Sequence, residues 1–278
     1  LQVARRLFNA AKAGHTGTLD PLATGLLPLC FGEATKFSSE LLNADKAYRA
    51  TVRLGITTDT ADAEGVVHSE REVSVTEAAL RTVLDSFVGT IAQTPPMHSA
   101  LKRDGKPLYE YARQGIEVER APREVTISRI ELLSFDGRDA VIDVDCSKGT
   151  YIRTLAEDIG HTLGCGAHLL ALRRTRIGKL RVENAITLEA VEQISASARD
   201  ALLATVDSLL ADLPQAMLDA TDALRMRRGQ AIPWTGTPGE RLRLVSAEFG
   251  FMGLGVVTEA KTLQASRLVA EPASSSPG

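Results

Sequence analysis

The stretch Gly14–Leu29, GHTGTLDPLATGLLPL, decides how the chain is read. It sets one carboxylate, Asp20, among Gly14, Gly17 and Gly25, with His15 upstream and Pro21 directly after it. Glycine frees the backbone for positive φ or close approach. The proline ring pushes the residue before it into an extended conformation and removes a donor. A single carboxylate is therefore held on a tightly shaped loop. Asp-Pro also reads as a helix start, with Asp20 as N-cap and Pro21 at the first helical position, and the dipeptide alone favours that reading. The two are compatible, because a carboxylate at a helix start is stabilised as an anion.

Outside this stretch, composition narrows the classes. The chain has 278 residues, 44% hydrophobic and 24% charged, the balance of a globular protein with room for one large domain and a small one. No run of eighteen apolar residues predicts a membrane span. Three cysteines, Cys30, Cys146 and Cys165, are odd in number and lack metal-ligand spacing, which predicts reduced thiols and a cytoplasmic address. The chain opens on Leu1 without a charged-then-apolar leader, which reads as a fragment lacking its true start. Net charge is −3, not the signature of a strongly basic nucleic-acid binder. Local charge differs: Leu172–Arg181 carries Arg173, Arg174, Arg176, Lys179 and Arg181 with no acid among them, and Arg225–Arg228 is a second cluster. Such patches bind phosphates locally or are simply solvated.

Periodicity places the elements. Residues 2–12 read as a helix ended by Gly14, and Tyr48–Thr57 alternates as a strand with Tyr48, Ala50, Val52 and Leu54 on the buried face. Thr76–Gly89 reads as a helix with Thr76 as N-cap. Residues 93–115, rich in Pro, Gly, Lys, Arg and Tyr, read as an arm with a short helix near 108–113. A hairpin over 125–135 and 140–147 turns at Asp136–Gly137. Helices follow over 150–164, 188–194 and 199–210. From about residue 213 a short helix and strands near 241–245, 251–257 and 267–269 predict a small β-rich domain, and the Pro/Ser-rich end a disordered tail.

Each candidate side chain has a plain reading beside a chemical one. His15 is a loop histidine or an aromatic that wedges against a base. Tyr48 is by default a core aromatic, Arg173 a surface arginine, and KGTYIRT (Lys148–Thr154) a strand-to-helix crossing. No H-E-x-x-H, paired C-x-x-C, P-loop, G-x-G-x-x-G after a strand or G-x-S-x-G occurs, so metal and cofactor chemistry is not expected.

Taken together and in order, GHTGTLDPLATGLLPLCFGEATKF, KAYRATVRLG, PPMHSALKRDGKPLYEYARQG, CSKGTYIRTLAEDIG and GCGAHLLALRRTRIG resemble the bacterial TruB-type tRNA pseudouridine-55 synthases. The resemblance spans nearly the whole chain, and its β-rich end is similar to the PUA-type RNA-binding domain of that family. It implies an α+β pseudouridine synthase fold, with a mixed, largely antiparallel sheet and flanking helices over residues 1–211, a PUA-like domain over 212–271 and the tail over 272–278. It implies isomerisation of one uridine in the T-loop of tRNA, with no cofactor, no metal, no membrane and no protein partner, by a monomer. By position Asp20 matches the catalytic carboxylate, Tyr48 the tyrosine against the target base and Arg173 the basic residue paired with the carboxylate. His15 matches the histidine near the flipped nucleotide, and Lys148 joins His15, Tyr48 and Arg173 as an expected substrate contact. The family's opening strand and its K-P-x-G-x-[ST]-S segment are missing before Leu1. Position 171 is Ala where some members place Tyr, and His98 stands where the arm often has another aromatic.

The chemistry agrees with these implications. Uracil is retained, so the reaction needs a nucleophile, a pocket for the freed base and removal of the C5 proton. A guanidinium at about 4 Å opposes neutralisation of a desolvated Asp by roughly 4 kcal/mol at an effective dielectric of 20. Extruding the base from a folded RNA loop costs a few kcal/mol, for which phosphate contacts from the arm and the Leu172–Arg181 cluster are the expected source. Two alternatives compete: a non-catalytic RNA binder or chaperone on the same scaffold, and an Asp-dependent nucleoside hydrolase, for which no second carboxylate in the motif activates water.

Overall fold

The alternation that begins at Tyr48 forms the strand Lys46–Leu54 at the centre of a sheet. Ala50, Val52 and Leu54 are buried, whereas Arg49 and Arg53 point the other way and pair with Asp143 and Asp139 on the adjacent strand at 2.8 and 2.6 Å. The strand stops three residues earlier than its pattern suggests. Gly55 breaks it with φ +84°, and Ile56–Thr58 pairs instead with Val67–Glu70 as a separate hairpin.

The computed structural model describes residues 1–270 and falls into two compact units. One comprises residues 18–27 and 43–185, the other residues 1–17, 28–42 and 186 onward. The expected boundary between 211 and 212 therefore falls inside a unit: residues 186–211 and two N-terminal segments cluster with the β-rich end. The tail expected over 272–278 lies outside the described residues.

In the first unit, seven strands form a mixed, largely antiparallel sheet. Its order is Leu180–Arg181, Ala167–Ile177, Lys46–Leu54, Asp139–Cys146, Arg123–Phe135 and Gly89–Gln93, with Ala23–Gly25 added in parallel to Ala167–Ile177. The 123–135 and 139–146 strands are the expected hairpin, turning at Asp136 and Gly137. The helix Ile152–Thr162 places Ile152, Leu155 and Ile159 against Val52, Leu54, Ile142 and Leu169 in one buried cluster. Truncating such a fully buried leucine costs about 2–5 kcal/mol. Gly160 is required where this helix meets the next strand, since a Cβ there would lie 2.2 Å from the Ala167 nitrogen. The helix Glu77–Ser86 starts as expected, its N-cap Thr76 side chain accepting from the Ala79 N–H.

The Leu172–Arg181 cluster is not a loose basic patch. It belongs to the strand Ala167–Ile177 and the short strand Leu180–Arg181 that folds back on it, so the adjacent Arg173 and Arg174 face opposite sides. The arm is ordered locally: Lys102–Arg103 and Lys106–Pro107 pair around Asp104–Gly105, both at positive φ, and the helix Leu108–Arg113 follows.

In the other unit the first helix ends at Leu7, not near residue 12. Asn9 takes φ +45°, Phe8 packs on Phe31 with centroids 5.1 Å apart, and Ala13–His15 pairs with Leu29–Phe31. The residues expected to be one helix over 199–210 instead form the helix Ala196–Arg199 and two 3-10 turns, because Leu203 is extended between them. The β-rich end is a five-stranded sheet ordered 215–218, 241–246, 250–257, 262–268 and 232–233. Its helix Ala220–Arg227 is capped by Asp219, whose carboxylate accepts from the Asp222 N–H. The last long strand, expected near 267–269, runs Thr262–Leu268.

Candidate active site

Asp20 is not a helix N-cap. The Ala23 N–H donates to the Asp20 carbonyl at 2.8 Å and closes a turn, and Ala23–Gly25 then joins the sheet edge through Leu172, Arg173 and Arg174. Gly25 makes this possible. Its φ is +98°, and a Cβ there would stand 2.3 Å from the Arg174 carbonyl oxygen. Pairing with the sheet outcompetes the helix that Asp-Pro would start, and the carboxylate is left free of backbone duties.

That carboxylate meets a guanidinium, but not the expected one. Arg173 lies on the exposed side of its strand, in register with Arg49, and makes no ion pair with Asp20. The partner is Arg153 in the first turn of the helix Ile152–Thr162. Its Nε donates to Asp20 Oδ2 at 2.9 Å and its Nη2 to Oδ1 at 3.1 Å, the two-pronged geometry that only arginine provides. The Arg153 side chain is 4% exposed and that of Asp20 35%. The cation is thus buried while the anion opens outward.

A buried guanidinium requires partners on all its edges. Arg153 Nη2 also donates to the His98 carbonyl at 2.7 Å and Nη1 to the Thr60 carbonyl at 3.3 Å. A second carboxylate, Asp62, stands 3.6 Å from Nε and is 6% exposed. Asp62 is itself fixed: its Oδ1 accepts from the Thr60 hydroxyl at 2.6 Å and from the Glu64 N–H at 3.1 Å. The loop carrying it is tied to the sheet by bonds between Ala63 N–H and the Leu169 carbonyl and between Leu169 N–H and the Ala61 carbonyl. Two carboxylates flank one guanidinium, so the cluster carries a surplus negative charge, and its accessible share is on Asp20.

Tyr48 lies in the field of this charge. Burial pushes its hydroxyl up to about 12, with Asp20 adding in the same direction and the nearby Arg174 opposing. The phenol is neutral at physiological pH, a donor and a flat face, not a phenolate base. Arg174 is the buried neighbour of Arg173, and its Nε donates to the Leu26 carbonyl at 2.8 Å. It holds the far end of the Asp20 segment from below. Tyr151, raised by burial, also senses Arg153 and Asp20. Lys148 is exposed and donates to Asn43 Oδ1 at 2.8 Å. His15 is exposed at the end of the Ala13–His15 strand, in the other unit.

The structure therefore brings together Asp20 and Tyr48 and adds Arg153 and Asp62, which sequence reading passed over, and Arg174, which it read only as one of the basic cluster. Arg153 carried one signal, a charge directly beside Ile152 at the edge of an apolar helix face. Asp62 carried none, sitting in a stretch that reads as a polar turn. No cluster of His, Cys, Asp and Glu suited to a metal occurs among the described residues, and no helix among them is long and apolar enough to cross a membrane.

Three family models together cover residues 5–269. Residues 5–152 match the N-terminal domain of the TruB family pseudouridylate synthases, residues 153–218 the C-terminal domain of tRNA pseudouridylate synthase B, and residues 214–269 the C-terminal region of pseudouridine synthase II TruB. The chain is 58% identical over 270 residues to the tRNA pseudouridine synthase B of Aromatoleum aromaticum, covering 97% of this chain and 87% of that protein. It is 62% identical over 234 residues to the protein of the same name from Ralstonia pickettii, covering 83% and 74%. A chain from the crystal structure of a Cbf5-Nop10-Gar1 complex superposes with TM-score 0.72 at 26% identity, covering 97% of this chain and 80% of that one. The sheet, the Asp20 segment and these matches over nearly the full length agree, and the chain belongs to the TruB family of pseudouridine synthases.

Proposed function

We propose that the protein isomerises uridine 55 in the T-loop of tRNA to pseudouridine, with Asp20 as the nucleophile on an extruded nucleotide. The observation that carries this reading is the Asp20–Arg153 pair: a half-open carboxylate gripped at both oxygens by a buried guanidinium. The names of the relatives supply the substrate class, since proteins called tRNA pseudouridine synthase B match nearly the whole chain.

The chemistry follows from the groups present. The C1′–N1 bond breaks, a C1′–C5 bond forms, one proton leaves C5 and N1 gains one, so the base is conserved and no redox partner is consumed. Asp20 attacks the sugar or the ring and is released at the end. Arg153 keeps it ionised as it is desolvated and fixes which lone pairs face the nucleotide. Tyr48 stacks on the uracil and, being neutral, relays the C5 proton by accepting it while passing its own to water. His15 fills the space the uridine leaves, and Lys148 contacts the RNA backbone. The protein acts as a cytoplasmic monomer without a cofactor.

The test is release of tritium from a T stem-loop RNA labelled at C5 of the uridine. The wild-type chain should release one tritium per site, and Asp20→Asn should release none while binding the RNA with unchanged affinity. Release by Asp20→Asn, or appearance of free uracil, would overturn the reading.

A further inference from the structure

We infer that Gln93 is a positioning residue for Asp20, acting through Tyr151 and Arg153; the inference rests on the reading of Asp20 as nucleophile. Gln93 is the last residue of the strand Gly89–Gln93, where the chain leaves the sheet for the arm, and its ladder partner Arg123 is where it returns. Its side chain does not belong to the arm. Gln93 is 2% exposed, its Nε2 donates to the Tyr151 carbonyl at 3.1 Å, and its Oε1 accepts from the Tyr151 N–H at 2.8 Å.

One amide thus satisfies both polar groups of a single residue, and that residue is the N-cap of the helix Ile152–Thr162. Tyr151 offers no side-chain cap of its own. A helix start leaves N–H groups without partners and frays unless something holds it. Here the hold comes from a neighbouring strand across 58 positions of sequence. Arg153 projects from this same first turn, with its fork closed on Asp20. A second contact from the arm's root acts on the same side chain, since the His98 carbonyl accepts from Arg153 Nη2 at 2.7 Å. Among the described residues the Gln93 side chain bonds Tyr151 and not Asp20. It sets the position and angle from which Arg153 reaches Asp20. Misplacement of a catalytic group by about 1 Å costs on the order of 100-fold in rate.

The experiment measures the single-turnover rate of tritium release, RNA affinity by filter binding and the thermal midpoint. Gln93→Met keeps the volume and removes both hydrogen bonds. It should slow release by roughly 10- to 100-fold while the RNA Kd stays within about twofold. Gln93→Glu keeps the acceptor for the Tyr151 N–H and loses the amide donor, and should fall between Gln93→Met and wild type. A purely structural residue would not show the third expectation. In a chain already carrying Arg153→Lys, adding Gln93→Met should cost less than about threefold, because the coupled step is already lost. The inference fails if Gln93→Met keeps the wild-type rate, if its loss multiplies undiminished with Arg153→Lys, or if only the Kd rises. Should Gln93→Met not fold, Gln93→Glu carries the comparison, with an intermediate rate in support and a wild-type rate against. Asp20→Asn in parallel separates the two claims. If it still turns over, the nucleophile is wrong; if it is inactive while Gln93→Met is normal, only the positioning role is lost.

Discussion

Replacing Arg153 with lysine tests the central geometry, because charge is kept and the fork is removed. The guanidinium holds Asp20 at 2.9 and 3.1 Å, the His98 carbonyl at 2.7 Å and the Thr60 carbonyl at 3.3 Å. An ammonium gathers its donors on one atom. From one position it cannot serve both oxygens of Asp20 and the two carbonyls. A hydrogen bond to a charged group contributes about 1.5–3 kcal/mol. Losing one prong and the angular restraint it supplies therefore weakens the hold on Asp20 by about 2–4 kcal/mol. If that hold is expressed in the transition state, single-turnover tritium release slows by roughly 30- to 1000-fold. RNA affinity should be unaffected, since Arg153 is buried and lysine keeps its positive charge. Arg173→Lys is the matched control: exposed and unpaired with Asp20, it should leave the rate within about twofold. A near-normal rate for Arg153→Lys, or an equal loss for Arg173→Lys, would refute the assignment of the ion pair.

Two further expectations concern stability. Burial and the neighbouring Glu157 raise Asp158 to about 6 from its ordinary 3.8, so the stability tied to its neutral form is complete below about pH 4 and is lost as pH rises through about 6. Asp158→Asn should then stabilise the fold at pH 8 by about 1–2 kcal/mol, after allowance for partial exposure, and hardly at pH 4, as urea denaturation at the two pH values will show. Gly25→Ala places a Cβ 2.3 Å from the Arg174 carbonyl oxygen at φ +98°. It should destabilise the protein by more than the roughly 1–3 kcal/mol of strained backbone alone. Gly89→Ala is the reference, with φ +119° and nothing within 4 Å, and equal losses in denaturant would contradict the clash.

What was legible in the sequence was whatever repeats locally. The alternation around Ala50–Leu54, the Asp136–Gly137 turn, the Thr76 cap and the apolar face through Ile152, Leu155 and Ile159 all involve neighbours a few residues apart. The Asp20 loop was legible as a constrained carboxylate but not in conformation. Its backbone is decided by residues 172–174, and no local signal competes with the helix-start pattern of Asp-Pro. The ion pair was misassigned for a related reason. Arg173 and Arg174 are adjacent arginines on one strand, and only its pleat distinguishes the exposed one from the buried one. Arg153 lies 133 positions from Asp20, a pairing that only the assembled sheet and helix create. The end of the first helix escaped because Phe8 and residues 13–15 find their partners in residues 29–31, beyond the reach of local periodicity.

The segment bearing Asp20 joins the sheet through a short ladder, 23–25 against 172–174, reinforced by the Leu26–Arg174 hydrogen bonds and the Asp20–Arg153 fork. Because Lys46–Leu54 already pairs with Ala167–Ile177, this ladder closes a loop of only about 20 residues, a modest entropic cost. The buried cluster under the 152–162 helix includes none of residues 18–21, while Leu22 and Ala23 pack against its side, so release of this short ladder should uncover one flank of the cluster and leave its interior in place. The expected consequence is a folded form in which Asp20 is withdrawn from Arg153 and the protein is inactive. Its population is read by solvent exchange of one amide, the Leu26 N–H that donates to the Arg174 carbonyl at 2.9 Å.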